Sequence, residues 1–373
     1  MLSALKNRAA EHLQNAPGWL TNERIVVIES DDWGAVRTKD QETLHALQRI
    51  EGIETSLFDS LDCLESGDDL ACLAEVLRSV TDRDGRPARF TANTVMGNPD
   101  FAAIVENGFE SFHGESFFES YQRDQGTDLT PLWRALMDEG VWNPQFHADY
   151  HLDTERWMAD LRAGVAETRD ACRYHFYGQK QTTGCAGKRH YLAAFHAESG
   201  ADTTLKGDRV VAGLKRFNET FGFNSKTFIP CNYIWAIDLD SVLKDAGVAA
   251  RQGNRVGLQP SPEVSGALTS QRRYWRAGGN RKLGQLVRNV MFEPYSDGQE
   301  DWSARALGQV HRAFWWRKPA VISTHRINYV SGLDAAHRDR SLRQLEGLLS
   351  GIVRRWPGVQ FLSSDELADR MAN

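Results

Sequence analysis

The feature that most constrains this chain is an alternation. Short apolar runs take turns with longer stretches of helical periodicity, and polar residues gather where the apolar runs stop. Ile25-Val26-Val27-Ile28 is an uninterrupted apolar run, the pattern of a strand buried on both faces, and it ends in Ser30-Asp31-Asp32-Trp33-Gly34. Leu44, Leu47 and Ile50 then predict a helix over 40–50, and Leu70, Leu73, Val76 and Leu77 another over 64–80. Further strands are expected at 89–95 (broken by Gly97-Asn98-Pro99), 109–112, 142–146, 226–230, 248–252, 319–324 and 359–362, with an arm at 272–276. Helices are expected at 129–139, from Asp153 to about 168, and over 205–221, 237–245, 304–316, 342–356 and from Ser364. The result is about seven or eight strand–helix units, which predicts an α/β architecture with a parallel sheet. In parallel α/β barrels the chemistry sits where strands end.

Composition narrows the function classes. A length of 373 residues suggests two or three domains on length alone, yet α/β barrels run past about 250 residues as one. An apolar share of 41% is enough for a large core and excludes disorder for most of the chain. With 44 Lys and Arg against 50 Asp and Glu, the net charge of −6 argues against a nucleic-acid partner. No apolar run reaches the ~18 residues of a membrane span. Residues 1–20 predict an amphipathic helix, with Leu2, Leu5, Ala9 and Leu13 on one side and no apolar signal region. The five cysteines, Cys63, Cys72, Cys172, Cys185 and Cys231, are odd in number and lack CxxC spacing, which fits reduced thiols and a cytoplasmic location.

Four strand ends carry groups that can do chemistry: Asp31-Asp32, His147 to His151, Pro230-Cys231-Asn232, and His325. Two histidines four apart lie on one face of a helical turn and can bind one metal ion. A carboxylate from another strand would complete a two-His, one-carboxylate set with open positions. Taken singly, the acids could be turn residues or a helix cap, and His325 a core histidine. Their coincidence at strand ends favours function, because the fold would gather those ends on one rim.

These residues resemble the polysaccharide deacetylase family. The stretch Val27-Ile28-Glu29-Ser30-Asp31-Asp32-Trp33-Gly34 is similar to its first motif, His147-Ala148-Asp149-Tyr150-His151 to its second, and Ile322-Ser323-Thr324-His325 to its last. The resemblance covers about residues 24–365. It implies a distorted (β/α)7-type barrel with long loop insertions near 169–203 and 253–300, one domain over 1–373. It also implies a metal-dependent hydrolase that removes acetyl groups from N-acetylated sugars or glycan precursors. Position by position, Asp32, His147 and His151 would hold a divalent ion, zinc first, with nickel, cobalt and iron also suited. Asp31 would be the general base and His325 the general acid. Departures are visible. Position 148 is Ala where the family has Ser or Thr. Phe228-Ile229-Pro230-Cys231 lacks the arginine that orients the base, for which Arg251 and Arg288 are both candidates, and no fourth motif is recognisable.

Weaker candidates surround these. Trp33, Tyr233 and Trp235 could form sugar-stacking walls or fill the core. Asn93 and Asn232 could bond substrate, Asn93 being as well explained by a turn, and His113 could approach the metal rim. The 169–203 and 253–300 stretches could lid the barrel. Gly278-Gly279-Asn280 is not a phosphate loop. Two competing classes remain: a sugar-binding or glycoside-hydrolase-like protein on the same barrel, and a non-haem iron oxygenase using His147, Asp149 and His325 as an HxD…H set. The partner expected is a carbohydrate substrate, with no nucleic acid and no membrane span. The sequence carries no signal of oligomeric state.

Overall fold

The computed structural model describes residues 12, 15–179, 191–261, 267–279 and 282–373. The helix expected over 1–20 lies mostly outside them, and the described stretch 15–20 is not helical. So does Cys185; the other four cysteines are free thiols.

The fold is α/β, built on one curled sheet. In chain order its strands are β1 (Arg24–Trp33), β2 (Phe90–Pro99), β3 (Gly114–Ser116), β4 (Trp142–Tyr150), β5 (Thr227–Phe228) and β6 (Ala250–Arg251). An antiparallel hairpin, β7 (Val256–Pro260) and β8 (Leu268–Arg272), stands apart, and it overlaps the arm expected at 272–276 only at Arg272. The sheet resumes with β9 (Gly284–Gln285), β10 (Val290–Met291), β11 (Ala320–His325) and β12 (Val359–Phe361). Its order is β10-β11-β1-β2-β4-β5-β6-β9, with β12 added on β1 and β3 on β2. Every pairing in this sheet is parallel except that of β3.

The two ends of the path are close in sequence. Leu286 N–H donates to Arg251 O and Arg288 N–H to Gly253 O, while Asn289 N–H donates to Val321 O and Phe292 N–H to Ser323 O. One extended segment, 284–292, thus touches both ends of the sheet and curls it into a nearly closed, distorted barrel. The strand predicted at 109–112 is absent. β2 runs through Gly97-Asn98-Pro99 instead of ending there, because those residues pair with β3.

Strand alternation sets up the site. On β1, Val26 and Ile28 join the large cluster shared with helices α1 (Gly67–Arg78) and α2 (Ala335–Arg355), whereas Ile25 and Val27 pack with Leu286, Val321 and Leu367. Side chains repeat every second residue, so Glu29 and Asp31 continue the inner row of Ile25 and Val27. On β11, Ser323 and His325 continue the row of Val321 in the same way, and the register pairs Glu29 with Ser323 and Asp31 with His325. Each inner row is apolar at one end and polar where the strand stops. The helix expected from Asp153 to 168 is split at Gly164, whose left-handed φ of 76° ends Thr154–Ala163 before Ala166–Arg173 begins. No helix among the described residues is long and apolar enough to cross a membrane.

Candidate metal centre and active site

Two bulges shape the site. Ser30 pairs with Ala92 and Trp33 with Thr94, so Asp31 and Asp32 together stand opposite Asn93. Consecutive strand residues normally face opposite ways; the extra residue, with Asp32 at φ 76°, lets both acids face one cavity. On β4, Phe146 pairs with Thr94 and Ala148 with Val95, which leaves His147 as the extra residue. The histidine pair is therefore placed by a bulged strand and the bend after it, and not by the helical turn that its spacing suggested. The rings meet all the same, with centroids 5.0 Å apart.

Asp32 Oδ1 lies 3.4 Å from His147 Nε2 and 3.3 Å from His151 Nε2. His147 Nδ1 is 2.8 Å from Ile229 O, a contact that fixes the ring and turns its Nε2 towards Asp32. Burial pulls the His151 pKa down to about 3, against the opposing pull of Asp32. Burial opposes the Asp32 charge, but His151, His147 and Arg37 outweigh it and hold the carboxyl well below the usual range. Two imidazoles and a carboxylate converging on one point could serve as donors to a divalent ion. A sulfur joins them: Cys231 Sγ clusters with the ligand nitrogens of His147 and His151, its pKa pushed up by burial and by Asp32.

Asp31 is held by other partners. Arg288 grips it with two bonds, Nη2 to Oδ1 at 2.6 Å and Nη1 to Oδ2 at 2.7 Å, and Asn93 Nδ2 donates to Oδ1 at 2.8 Å. Burial would raise the Asp31 pKa; Arg288 overrides it and holds it at about 2. Of the two arginines open from sequence, Arg288 occupies the place and Arg251 pairs with Asp240. Arg288 Nε also donates to Glu29 Oε2 at 2.8 Å, and Ser364 Oγ donates to Glu29 Oε1.

His325 Nε2 is 3.6 Å from Asp31 Oδ2, and its Nδ1 is 2.6 Å from Glu293 Oε1. Asn328 Nδ2 fixes the second Glu293 oxygen at 2.8 Å. Burial works against the imidazolium, but Glu293, Tyr233 and Asp31 together hold the His325 pKa well above its ordinary value.

The site opens on a cavity of about 280 Å³. Asp31, Asp32, His147, His151, Asn232, Tyr233 and His325, all candidates from the sequence, line it. Asp32, Asn232 and Tyr233 all hold positive φ, a concentration of backbone strain in one cavity wall.

Other candidates are placed elsewhere. Trp33 is fully buried against Phe90, Trp142 and Tyr329, and its Nε1 donates to Ser30 Oγ, so it fills the core. Trp235 packs on Phe195 and Phe228 and is likewise core. Asn93 neither lines the cavity nor caps a turn: it is buried inside β2 and bonds Asp31 and Gln252. His113 is exposed and bonds Ser111. Asp149 pairs with Arg216 at 3.4 Å and does not line the cavity, so the HxD…H set is not assembled.

Sequence reasoning missed Glu29 and Glu293, and it missed Arg37, Ser56, Phe58 and Asp59, which wall the cavity from the connection after β1. A signal existed for Glu29, which shares the strand parity of Asp31. None existed for Glu293, which follows a two-residue strand in a stretch read as loop.

No protein-family model matches the chain, and no curated protein matches it. Solved structures do. A candidate polysaccharide deacetylase from Mycobacterium smegmatis is 11% identical with a TM-score of 0.45, over 95% of this chain and 93% of that one. A 4-α-glucanotransferase from Thermococcus litoralis is 8% identical with a TM-score of 0.44, over 93% of this chain and 40% of the other. A CE4 family pseudoenzyme from Bacillus anthracis is 9% identical with a TM-score of 0.39, over 93% and 66%. This chain is thus similar to solved structures of polysaccharide deacetylase type, one of them a pseudoenzyme, and its chemistry is read from its own cavity.

Proposed function

We propose that the protein is a metal-dependent hydrolase that removes the acetyl group from an N-acetylated sugar or glycan precursor. The observation that carries this reading is the order of groups around one cavity: Asp32 with His147 and His151 at the centre, Asp31 on one side and His325 beside it. Asp32, His147 and His151 would hold the ion, with zinc our first assignment. When bound, a divalent ion polarises an amide carbonyl and acidifies water. The chain's own part is proton handling. Asp31, ionised and fixed by Arg288 and Asn93, is aimed to accept a proton from attacking water. His325, kept protonated by Glu293, is placed to give one to the departing nitrogen, so that amine leaves and not amide anion. Asn232 and Tyr233 would hold the sugar. Backbone N–H groups near 230–232 would face the developing oxyanion.

We take the chain as one barrel domain with insertions near 169–203 and in the earlier part of 253–300, whose later part supplies β9 and β10 to the sheet, and its thiols as those of a cytoplasmic protein. The test is metal analysis together with acetate release from N-acetylated amino sugars. Wild-type protein should carry about one divalent ion, and Asp32→Ala should lose it, with affinity falling by more than the 10–100-fold typical of an outer partner. Asp31→Asn should keep the ion and lose at least about 100-fold in acetate release. Wild-type protein that binds no divalent ion ends this reading.

A second reading is a sugar-binding protein of low turnover on the same barrel. It draws on Asp31, whose pKa near 2 makes it a weak base, and on Cys231, a fourth donor beside the histidines. Metal binding without acetate release from any acetylated sugar would favour it.

A further inference from the structure

The cavity holds a cation that the proposed chemistry does not use. Arg37 follows β1, is 4% exposed and lines the cavity beside the metal-binding residues. Its Nε and Nη1 are buried and have no hydrogen-bond partner among the described residues. Among the described residues, the carboxylates within ion-pair distance are Asp32 at 3.7 Å from Nη2 and Asp62 at 3.5 Å from Nε, both too far for a hydrogen bond.

Both neighbours are engaged elsewhere. Arg326 holds Asp62 with two bonds, Nε to Oδ1 at 3.1 Å and Nη2 to Oδ2 at 2.9 Å. Asp32 faces the two imidazoles. Asp59, also on the cavity wall, accepts from Ser56 N–H and Oγ–H and makes no ion pair with Arg37. A guanidinium offers five N–H donors in a planar fork that matches a carboxylate or phosphate, and burying it without acceptors is costly. Phe58 supports the plane of this one, with its ring centroid 5.5 Å from Cζ. The fork is held in position, buried and short of acceptors, at the wall of a cavity wide enough for a ligand.

We infer that Arg37 is a specificity-determining residue that takes an oxyanion group, carboxylate or phosphate, carried by the substrate. The inference rests on the amide-hydrolase reading for what else that substrate bears. It makes the substrate an N-acylated sugar that is itself anionic, with the acyl group at the histidines and the anion at Arg37.

The experiment compares kcat/KM for acetate release by the metal-loaded full chain on N-acetylglucosamine, its 6-phosphate and N-acetylmuramate. These share the amide and differ in charge. The wild type should prefer one anionic sugar over the neutral one by at least about tenfold, the worth of one charge-assisted hydrogen bond. Which of the two it prefers separates phosphate from carboxylate. Arg37→Gln should collapse the preference, and Arg37→Lys should keep part of it. Equal turnover of charged and neutral sugars by the wild type overturns the inference, whatever the variants do. If no sugar is hydrolysed at all, the hydrolase reading fails by itself. The anion site is then read by calorimetric titration of wild type and Arg37→Gln with inorganic phosphate and with lactate. Affinity at least tenfold weaker in the variant supports it, and equal or absent binding overturns it.

Discussion

Asp31 and His325 are register partners on adjacent strands, yet their surroundings drive them apart in proton affinity. Arg288 strips Asp31 of its proton, while Glu293 gives His325 a reason to keep one. Such separation is how one site obtains both a base and an acid at neutral pH. Glu293→Gln keeps the shape and removes the charge, so the His325 pKa should fall, read directly by NMR titration of the ring. Stability follows in a definite direction. A histidine whose folded pKa exceeds its unfolded value of about 6.5 adds stability that is fully present below that value and is lost as pH rises through the folded pKa. Urea unfolding of the wild type should therefore weaken on the alkaline side, and the variant should show less of this loss. Under the proposed chemistry, the variant's turnover at pH 8 should drop at least about tenfold relative to pH 6. An unmoved ring titration would remove Glu293 from any role in holding this proton.

At the scale of elements, the site depends on two bulges and the turn that follows the first. Gly34 closes the β1 bulge at φ 81°, and a Cβ there would sit 2.8 Å from Val95 O and 3.0 Å from the Phe117 ring. Gly34→Ala should cost about 1–3 kcal/mol in guanidinium unfolding, since it combines left-handed backbone with a clash against a strand carbonyl. Under the proposed function it should also weaken divalent-metal binding, because Asp32 is two residues away in the same bulge. A variant with wild-type stability and metal affinity would show that the turn does not hold the acid in place. These elements also mark the limit of what the sequence can tell. β1 and β11 are readable as apolar runs with chemistry at their ends, and so is the parity that carries Asp31 and His325 inward. β5, β6, β9 and β10 have two residues each, too few for any periodicity, and their partners are set by tertiary closure. Arg288 could be shortlisted but not chosen, because nothing local says that Gly284 and Met291 lie on one segment between sheet ends. Trp33 shows the converse: adjacency to the acid pair suggested a ligand wall, but strand alternation turns its ring into the core.

At the scale of the molecule, the same arginine that holds Asp31 also joins the segment that closes the sheet to β1. Arg288 sits midway along the segment that touches β6 on one side and β11 on the other, and its fork reaches Asp31 and Glu29 on β1. Closure by so few backbone hydrogen bonds needs support from side chains, and this buried pairing supplies it across a long sequence separation. Removing one partner of a buried ion pair strands the others, typically at a cost of about 3–5 kcal/mol. Arg288→Met should lose that much in guanidinium unfolding, and backbone amides of 284–292 should exchange faster than those of β2 and β4. The loss should also depend on pH. Burial already holds the Glu29 pKa above the usual carboxylate range despite Arg288, and without the arginine it rises further. A carboxyl with a raised folded pKa adds stability below its unfolded value and loses it as pH climbs through the folded one. The gap between variant and wild type should therefore be smaller near pH 4 than near pH 8. A gap that stays constant with pH would mean that Arg288 contributes packing alone, and a gap under about 1 kcal/mol at both would remove it from barrel closure and leave only its part in orienting Asp31.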